Sequence, residues 1–193
     1  MPFIIESIVS TEGSDGRVNF APMGVVWEPP QLTLRPYIDT TTLRNLRVTR
    51  EAVINLTDNV LHFAHSALTD LALPGHPSHH VRGAILEDAC AYYGVAVDAV
   101  TEQGDRARVP CHIVEEQWLR PFLGFNRARS AVIEAIILAT RLRWLSRDDV
   151  SRELQRLAQI VDKTGGAPEH EALAFVDRHV CRWLASPEAT RDG

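Results

Sequence analysis

Between Asn19 and Asp58 the chain runs NFAPMG and then TLRPYIDTTTLRNLRVTREAVINLTD, and that order leaves it few ways to fold. The stretch from Asn19 to Gly24 reads as a close-packed loop. After it, Gln31 to Arg35 reads as a strand that ends in arginine and turns, through Thr40, Thr41 and Thr42, into a short helix capped by Asp39 or Thr40, with Leu43 and Leu46 facing inward. Glu51 to Leu56 then returns as a strand with Val53 and Asn55 on one face. A guanidinium, three hydroxyls and the unpaired backbone N–H groups of a helix start make a pocket for a phosphate, so the segment is a cofactor cradle more than a catalytic centre.

The flanking sequence supplies the rest of a sheet. Phe3 to Thr11 is β-branched and apolar, EGSDG has turn chemistry, and Arg17 to Val26 resumes an extended pattern, which together predict a hairpin. Val60 to Leu73 predicts a helix stopped by Pro74 and Gly75. Gly83 to Val100 fits a helix by its apolar spacing and a strand by its YYGVAV ending, and the pattern leaves both open. The turn EQGD at 102–105, followed by the alternation of Ala107, Val109, Cys111 and Ile113, favours a long hairpin with Pro110 at an edge or bulge.

From Asn126 the character changes to three helical segments, Ala128 to Leu145, Arg147 to Lys163 and Glu169 to Leu184. Ser146 with Asp149 caps the second, and Gly165-Gly166 ends it. The first is apolar on nearly every side and is expected to be buried against the sheet and a partner surface. The terminal SPEATRDG reads as frayed.

A chain of 193 residues fits one domain, or one domain with a helical appendage. Its net charge of −5 argues against a nucleic-acid or anionic membrane partner, so any bound anion has to be captured locally. Cys90, Cys111 and Cys181 form no paired spacing, as expected of a chain working in the reducing cytoplasm. The opening MPFIIESIV lacks the marks of a secretory signal, and Ala131 to Ala139 is too short to span a bilayer and carries Glu134.

Other residues invite chemistry and resist it. HPSHH at 76–80, with His62 and His65 upstream, reads as a solvated Pro/Gly loop rather than a metal site, so no metal is expected. Cys111 and His112 would point to opposite faces of a strand, which argues against a nucleophile–base pair. Glu134, inside AVIEAIILA, is expected to be answered by Arg127 or Arg141 in a structural ion pair. Trp27, Trp118, Trp144 and Trp183 read as core or interface anchors. Rossmann, P-loop, zinc-protease and serine-hydrolase signatures are missing.

IIESIVST, NFAPMGV, LRPY with its threonine-rich turn, VINLTDNV, GFNRARSAVIEAIILATRL and KTGG follow one another in an order that resembles the archaeal and bacterial DUF447 proteins. That family belongs to the FMN-binding split-barrel, flavin-reductase-like superfamily, and the resemblance covers nearly the whole chain. It implies an α+β fold: a six-stranded antiparallel split β-barrel of FMN-binding type over residues 1–125, with a C-terminal helical subdomain over 126–193 packed on it. It also implies paired strands in the ambiguous middle and a homodimer with FMN at the barrel edge near the subunit boundary.

By the same resemblance Asn19, Phe20, Ala21, Pro22, Met23 and Gly24 would offer main-chain groups to the flavin's pyrimidine edge, with Met23 or Phe20 against the ring. Arg35, Thr40, Thr41, Thr42 and Asn45 would hold the ribityl chain and phosphate. Gly24 stands where flavin reductases often carry serine, and no nicotinamide site is recognisable. The function implied is that of an FMN flavoprotein, either an oxidoreductase of unnamed substrate and electron donor or a non-enzymatic flavin or pterin-like binder or carrier.

Overall fold

The computed structural model describes residues 2–186, which fall into two compact units, 2–58 with 69–123 and 59–68 with 124–186. The first unit holds every strand: β1 (Ile4–Glu12), β2 (Val18–Glu28), β3 (Gln31–Leu34), β4 (Glu51–Leu56), β5 (Gly75–Pro77), β6 (Ala84–Leu86), β7 (Ala91–Val97), β8 (Thr101–Gln103) and β9 (Arg106–Trp118). Helix α1 (Thr41–Thr49) lies between β3 and β4. Seven strands run in the order β3-β2-β1-β4-β7-β9-β8, and β3 pairs also with β9, from Gln31 opposite His112 to Leu34 opposite Val109. That pairing closes six of them into an antiparallel barrel and leaves β8 appended.

Alternation decides what fills the barrel. Val9, Val25, Leu32, Ile54, Val95 and Val109 point inward, and Leu43 and Leu46 of α1 join the same cluster. Each such aliphatic side chain contributes about 1.5–3 kcal/mol on leaving water. The opposite face of β1 and β4 carries buried polar groups that tie down the β5–β6 hairpin. Ser10 Oγ donates to Ala84 O at 2.7 Å and accepts from Ala84 N at 2.9 Å. Asn55 Nδ2 donates to Ile8 O and Ala84 O at 3.3 and 3.1 Å, and its Oδ1 accepts from Leu86 N at 2.9 Å. Helix α1 ends on Arg50 in the left-handed region (φ 59°), a conformation costing about 1 kcal/mol for a residue with a Cβ. Its guanidinium offsets this by donating to Val97 O and Asp98 O at 3.0 and 2.9 Å.

The ambiguous middle is strand, as the resemblance implied: β7 pairs with both β4 and β9. Gly104 and Asp105 form the turn joining β8 to β9, with Gly104 at φ 65°. Pro110 stands just past the end of β7, where Asp98 N donates to its carbonyl at 2.9 Å, so its missing N–H lies beyond the ladder. The bulge falls elsewhere, at Gly94/Val95.

The second unit is helical: α2 (Val60–Leu68), α3 (Arg127–Ala139), α4 (Arg147–Thr164) and α5 (Ala167–Ala185), with a 3₁₀ turn at Leu142–Trp144. Helix α3 packs on α2, α4 and α5. Two helices stop earlier than their patterns suggest. α2 ends at Leu68 rather than Leu73, because Thr69 Oγ1 captures Leu71 N at 3.3 Å in a local turn. α3 ends at Ala139 rather than Leu145, where i→i+3 bonds such as Trp144 N to Arg141 O (3.0 Å) tighten the chain. Ser146 caps α4 by accepting from Asp149 N at 3.1 Å. Glu134 is exposed and pairs with neither Arg127 nor Arg141, so the expected ion pair does not form. Apart from Ser186, the SPEATRDG segment lies outside the described residues. Among the described residues no helix is long and apolar enough to cross a membrane.

Candidate functional site

The stretch from Asn19 to Gly24 is not a loop but the middle of β2. Proline and glycine suggested irregular chain, yet Pro22 fits because of which way its backbone faces. Trp27 N donates to Phe3 O at 2.8 Å, and the register continues through Val25–Ile5, Met23–Ser7, Ala21–Val9 and Asn19–Thr11. Bonding alternates along an antiparallel pair, so the odd-numbered residues of β2 bond to β1. Phe20, Pro22 and Gly24 turn their main-chain groups the other way. Strand β3 meets that edge only from Val26 to Glu28, so among the described residues no strand pairs with it from Val18 to Val25. A proline is tolerated there because the N–H it lacks would face an open edge.

The first turn of α1 stands beside this edge. Asn19 Nδ2 donates to Thr42 Oγ1 at 3.1 Å. Thr40 is the N-cap: its Oγ1 accepts from Leu43 N at 3.3 Å and donates to Tyr37 O at 2.8 Å. Thr41 Oγ1 accepts from Arg44 Nη2 at 2.7 Å. No acidic residue occupies the first turn of α1, so its positive end keeps its full pull on an anion. Asn45 is buried and donates to Thr11 Oγ1 and O at 3.1 and 3.4 Å, which gives it a structural task behind the turn.

Arg35 follows β3, fully on the surface. Its carbonyl accepts from Arg106 Nη1 at 2.9 Å, and its guanidinium has no hydrogen bond or ion pair among the described residues. Among the described residues no hydrogen bond joins it to Thr40, Thr41 or Thr42. Of the two side chains expected against a ring, Met23 packs on the interior cluster, while Phe20, half-buried, projects from the opposite face of β2. Ala21 points inward with Met23. The residue that the sequence reading passed over is Arg44, a second guanidinium on the threonine turn. Its spacing three residues after Thr41 was the available signal.

The remaining candidates are structural. Cys111 is fully buried with its thiol pushed up to about 12, mainly by burial and then by Asp98, against which Arg50 acts. His112 faces outward, its Nδ1 2.6 Å from Asp98 Oδ1, so the two neighbours do point apart. The 76–80 segment is not wholly the loop expected, since His76 and Pro77 lie in β5 opposite Ile85 and Ala84; beyond it His80 lies 3.7 Å from Glu115, which also accepts from Ser78 Oγ at 2.6 Å. Trp27 meets Tyr93 edge-on with ring centroids 4.8 Å apart, whereas Trp118 and Trp144 are exposed.

Six antiparallel strands closed into a barrel, open along part of one edge with a threonine-led helix beside it, make a split β-barrel. The profile described as "Protein of unknown function (DUF447) N-terminal domain" matches residues 5–120, and that described as "Protein of unknown function (DUF447)" matches residues 126–178. The chain belongs to the DUF447 family. Its fold is similar to that of the FMN-bound DUF447 protein MM1853 from Methanosarcina mazei, at TM-score 0.80 and 19% identity, covering 93% of this chain and 96% of that one. Part of the chain is similar in fold to the NADH:FAD oxidoreductase SgcE6 of Streptomyces globisporus C-1027, at TM-score 0.51, 12% identity and coverage of 61% and 78%. It is also similar to an FMN-binding protein from Thermus thermophilus solved with p-hydroxybenzaldehyde, at TM-score 0.50, 23% identity and coverage of 61% and 73%. No curated protein matches the chain.

Proposed function

We propose that this chain is a cytoplasmic, homodimeric FMN flavoprotein of oxidoreductase type, with the flavin along the free edge of β2 and its phosphate at the start of α1. The observation that carries this reading is that the edge of β2, unpaired from Val18 to Val25 among the described residues, is tied by the Asn19–Thr42 bond to the acid-free first turn of α1. Arg35, whose guanidinium makes no hydrogen bond or ion pair among the described residues, precedes the cap Thr40 in the chain. The fold likeness to an FMN-bound protein over 93% of the chain supports it.

In this arrangement the main-chain N–H groups of Phe20 and Gly24 and the carbonyl of Pro22 face the polar rim of the ring, and Phe20 covers its face. The N–H groups of Thr41 and Thr42, the Thr41 hydroxyl, Arg35 and Arg44 hold the phosphate, each charge-assisted contact contributing about 1.5–3 kcal/mol. Asn19 fixes the Thr42 hydroxyl, and Asn45 supports the turn from behind. FMN, when bound, supplies one- and two-electron transfer, and the protein supplies its binding and orientation. Trp118, Leu119, Phe122 and Leu123 expose large apolar side chains in one short run, the surface a second copy would cover.

The direct test is to denature the purified protein and identify any released small molecule by mass, alongside uptake of added FMN. Stoichiometric FMN supports the proposal, and failure to take it up contradicts it. A carrier or binding role is the second reading, favoured by the make-up of the site: Asn19, Thr40, Thr41, Thr42 and Asn45 hold and orient but do not exchange protons near neutral pH. Stopped-flow mixing with NADH or NADPH separates the two. Rapid bleaching of bound FMN supports the oxidoreductase, and no bleaching with either donor favours the binder.

A further inference from the structure

Inside the helical unit, the end of α3, the 3₁₀ turn after it and the last turns of α5 surround an open cleft of about 590 Å³. Its walls include Thr140, Leu142, Arg143, His179, Arg182 and Trp183, and among the described residues no Asp or Glu lines it. The volume lies in the range of small-molecule sites.

The two arginines are not needed to cap α3. The carbonyls of the last turn of α3 are already served: Ile136 O by Thr140 N at 3.0 Å, Ile137 O by Thr140 Oγ1 at 2.8 Å, and Leu138 O by Arg141 N at 3.0 Å. Arg143 lies over the ring of Trp144, 3.8 Å from its centroid, and Arg182 uses only Nε, toward Arg178 O at 3.3 Å. Neither has a carboxylate within ion-pair distance among the described residues. In a chain of net charge −5, two guanidinium groups at one cleft, neither answered by a carboxylate among the described residues, are a local concentration of positive charge. His179 reports the same field, since burial first and Arg182 second push its pKa below the usual histidine value. Half-buried Trp183 and buried Leu142 add an apolar wall.

We propose that this cleft binds a small organic anion, with a planar aromatic or heterocyclic ring against Trp183 and Leu142 and a carboxylate or phosphate between Arg143 and Arg182. Trp183 supplies stacking area and Leu142 excludes water, while the arginine forks give paired donors to the anion. The site lies wholly within the helical unit and is independent of the flavin reading.

The test is calorimetric titration of the full chain, with FMN present in excess, with 1-naphthyl phosphate, and with 1-naphthol and inorganic phosphate as the two halves of the same probe. Saturation at one molecule per chain is expected, at least about tenfold tighter for the whole probe than for either half. Arg182→Gln and Arg143→Gln, both exposed positions, should each weaken it about tenfold, Trp183→Leu should weaken it too, and Arg35→Gln should leave it unchanged. Binding that ignores Arg182→Gln and Arg143→Gln, that is lost in Arg35→Gln, or that is equally tight for 1-naphthol would overturn the proposal.

Discussion

The carboxamide of Asn19 donates to the hydroxyl of Thr42 across 3.1 Å, and that bond ties the free edge of β2 to the first turn of α1. The two halves of the candidate site are thereby held in one geometry, with Thr42 buried and Asn19 half-buried. Thr42→Val keeps the shape and removes the acceptor. Urea unfolding should show a loss of about 1 kcal/mol, and fluorescence titration with FMN should show an affinity lower by roughly fivefold. Thr42→Ser should restore both.

Arg35 separates binding from stability. Its guanidinium makes no hydrogen bond or ion pair among the described residues, so Arg35→Gln should change the unfolding free energy by less than about 0.5 kcal/mol. FMN affinity should fall by at least about tenfold, while riboflavin, which has no phosphate, should bind both forms equally. Parallel titrations with the two flavins check this.

Asn55 should matter for stability and not directly for ligand. Its side chain bonds to Ile8 O, Ala84 O and Leu86 N from a fully buried position. Asn55→Ala leaves those groups unanswered and should cost about 2–3 kcal/mol. Hydrogen exchange should locate the loosening at the β5–β6 hairpin, with α1 unaffected.

Glu169 gives the helical unit its acid sensitivity. Burial pushes its carboxyl up, but Gly166 N at 2.9 Å and Arg129 Nε at 3.1 Å more than offset this and hold it below the usual 4.5. A depressed folded value means the contribution is complete above the unfolded pKa and is lost as pH falls through the folded one. Unfolding midpoints should therefore drop below about pH 4.5. Glu169→Gln should be less stable by about 2 kcal/mol at pH 7 and should show a shallower acid dependence.

The order of elements was legible because it is written in local chemistry. Of the two caps the sequence offered, Thr40 rather than Asp39 caps α1; Ser146 caps α4, Gly104 makes the turn before β9, and the inward Val and Leu positions follow period two. What local pattern could not carry was pairing. Pro22 and Gly24 look like loop residues until the register with β1 shows that their backbone groups face an unpaired edge. The early ends of α2 and α3 depend on the Thr69 hydroxyl and on i→i+3 bonding after Thr140, neither marked by proline or glycine at the break. Leu43 and Leu46 told of an inward face, but not that it would close a barrel. That α2 belongs with the C-terminal helices is long-range packing, invisible in a window of sequence around Val60.

The most direct measurement is a crystal structure of the chain grown with FMN. The account predicts the phosphate against the N–H groups of Thr41 and Thr42 with Arg35 turned onto it, and the ring lying along β2 from Phe20 to Gly24. A flavin bound elsewhere with that edge bare, or no flavin at saturating concentration, would contradict it.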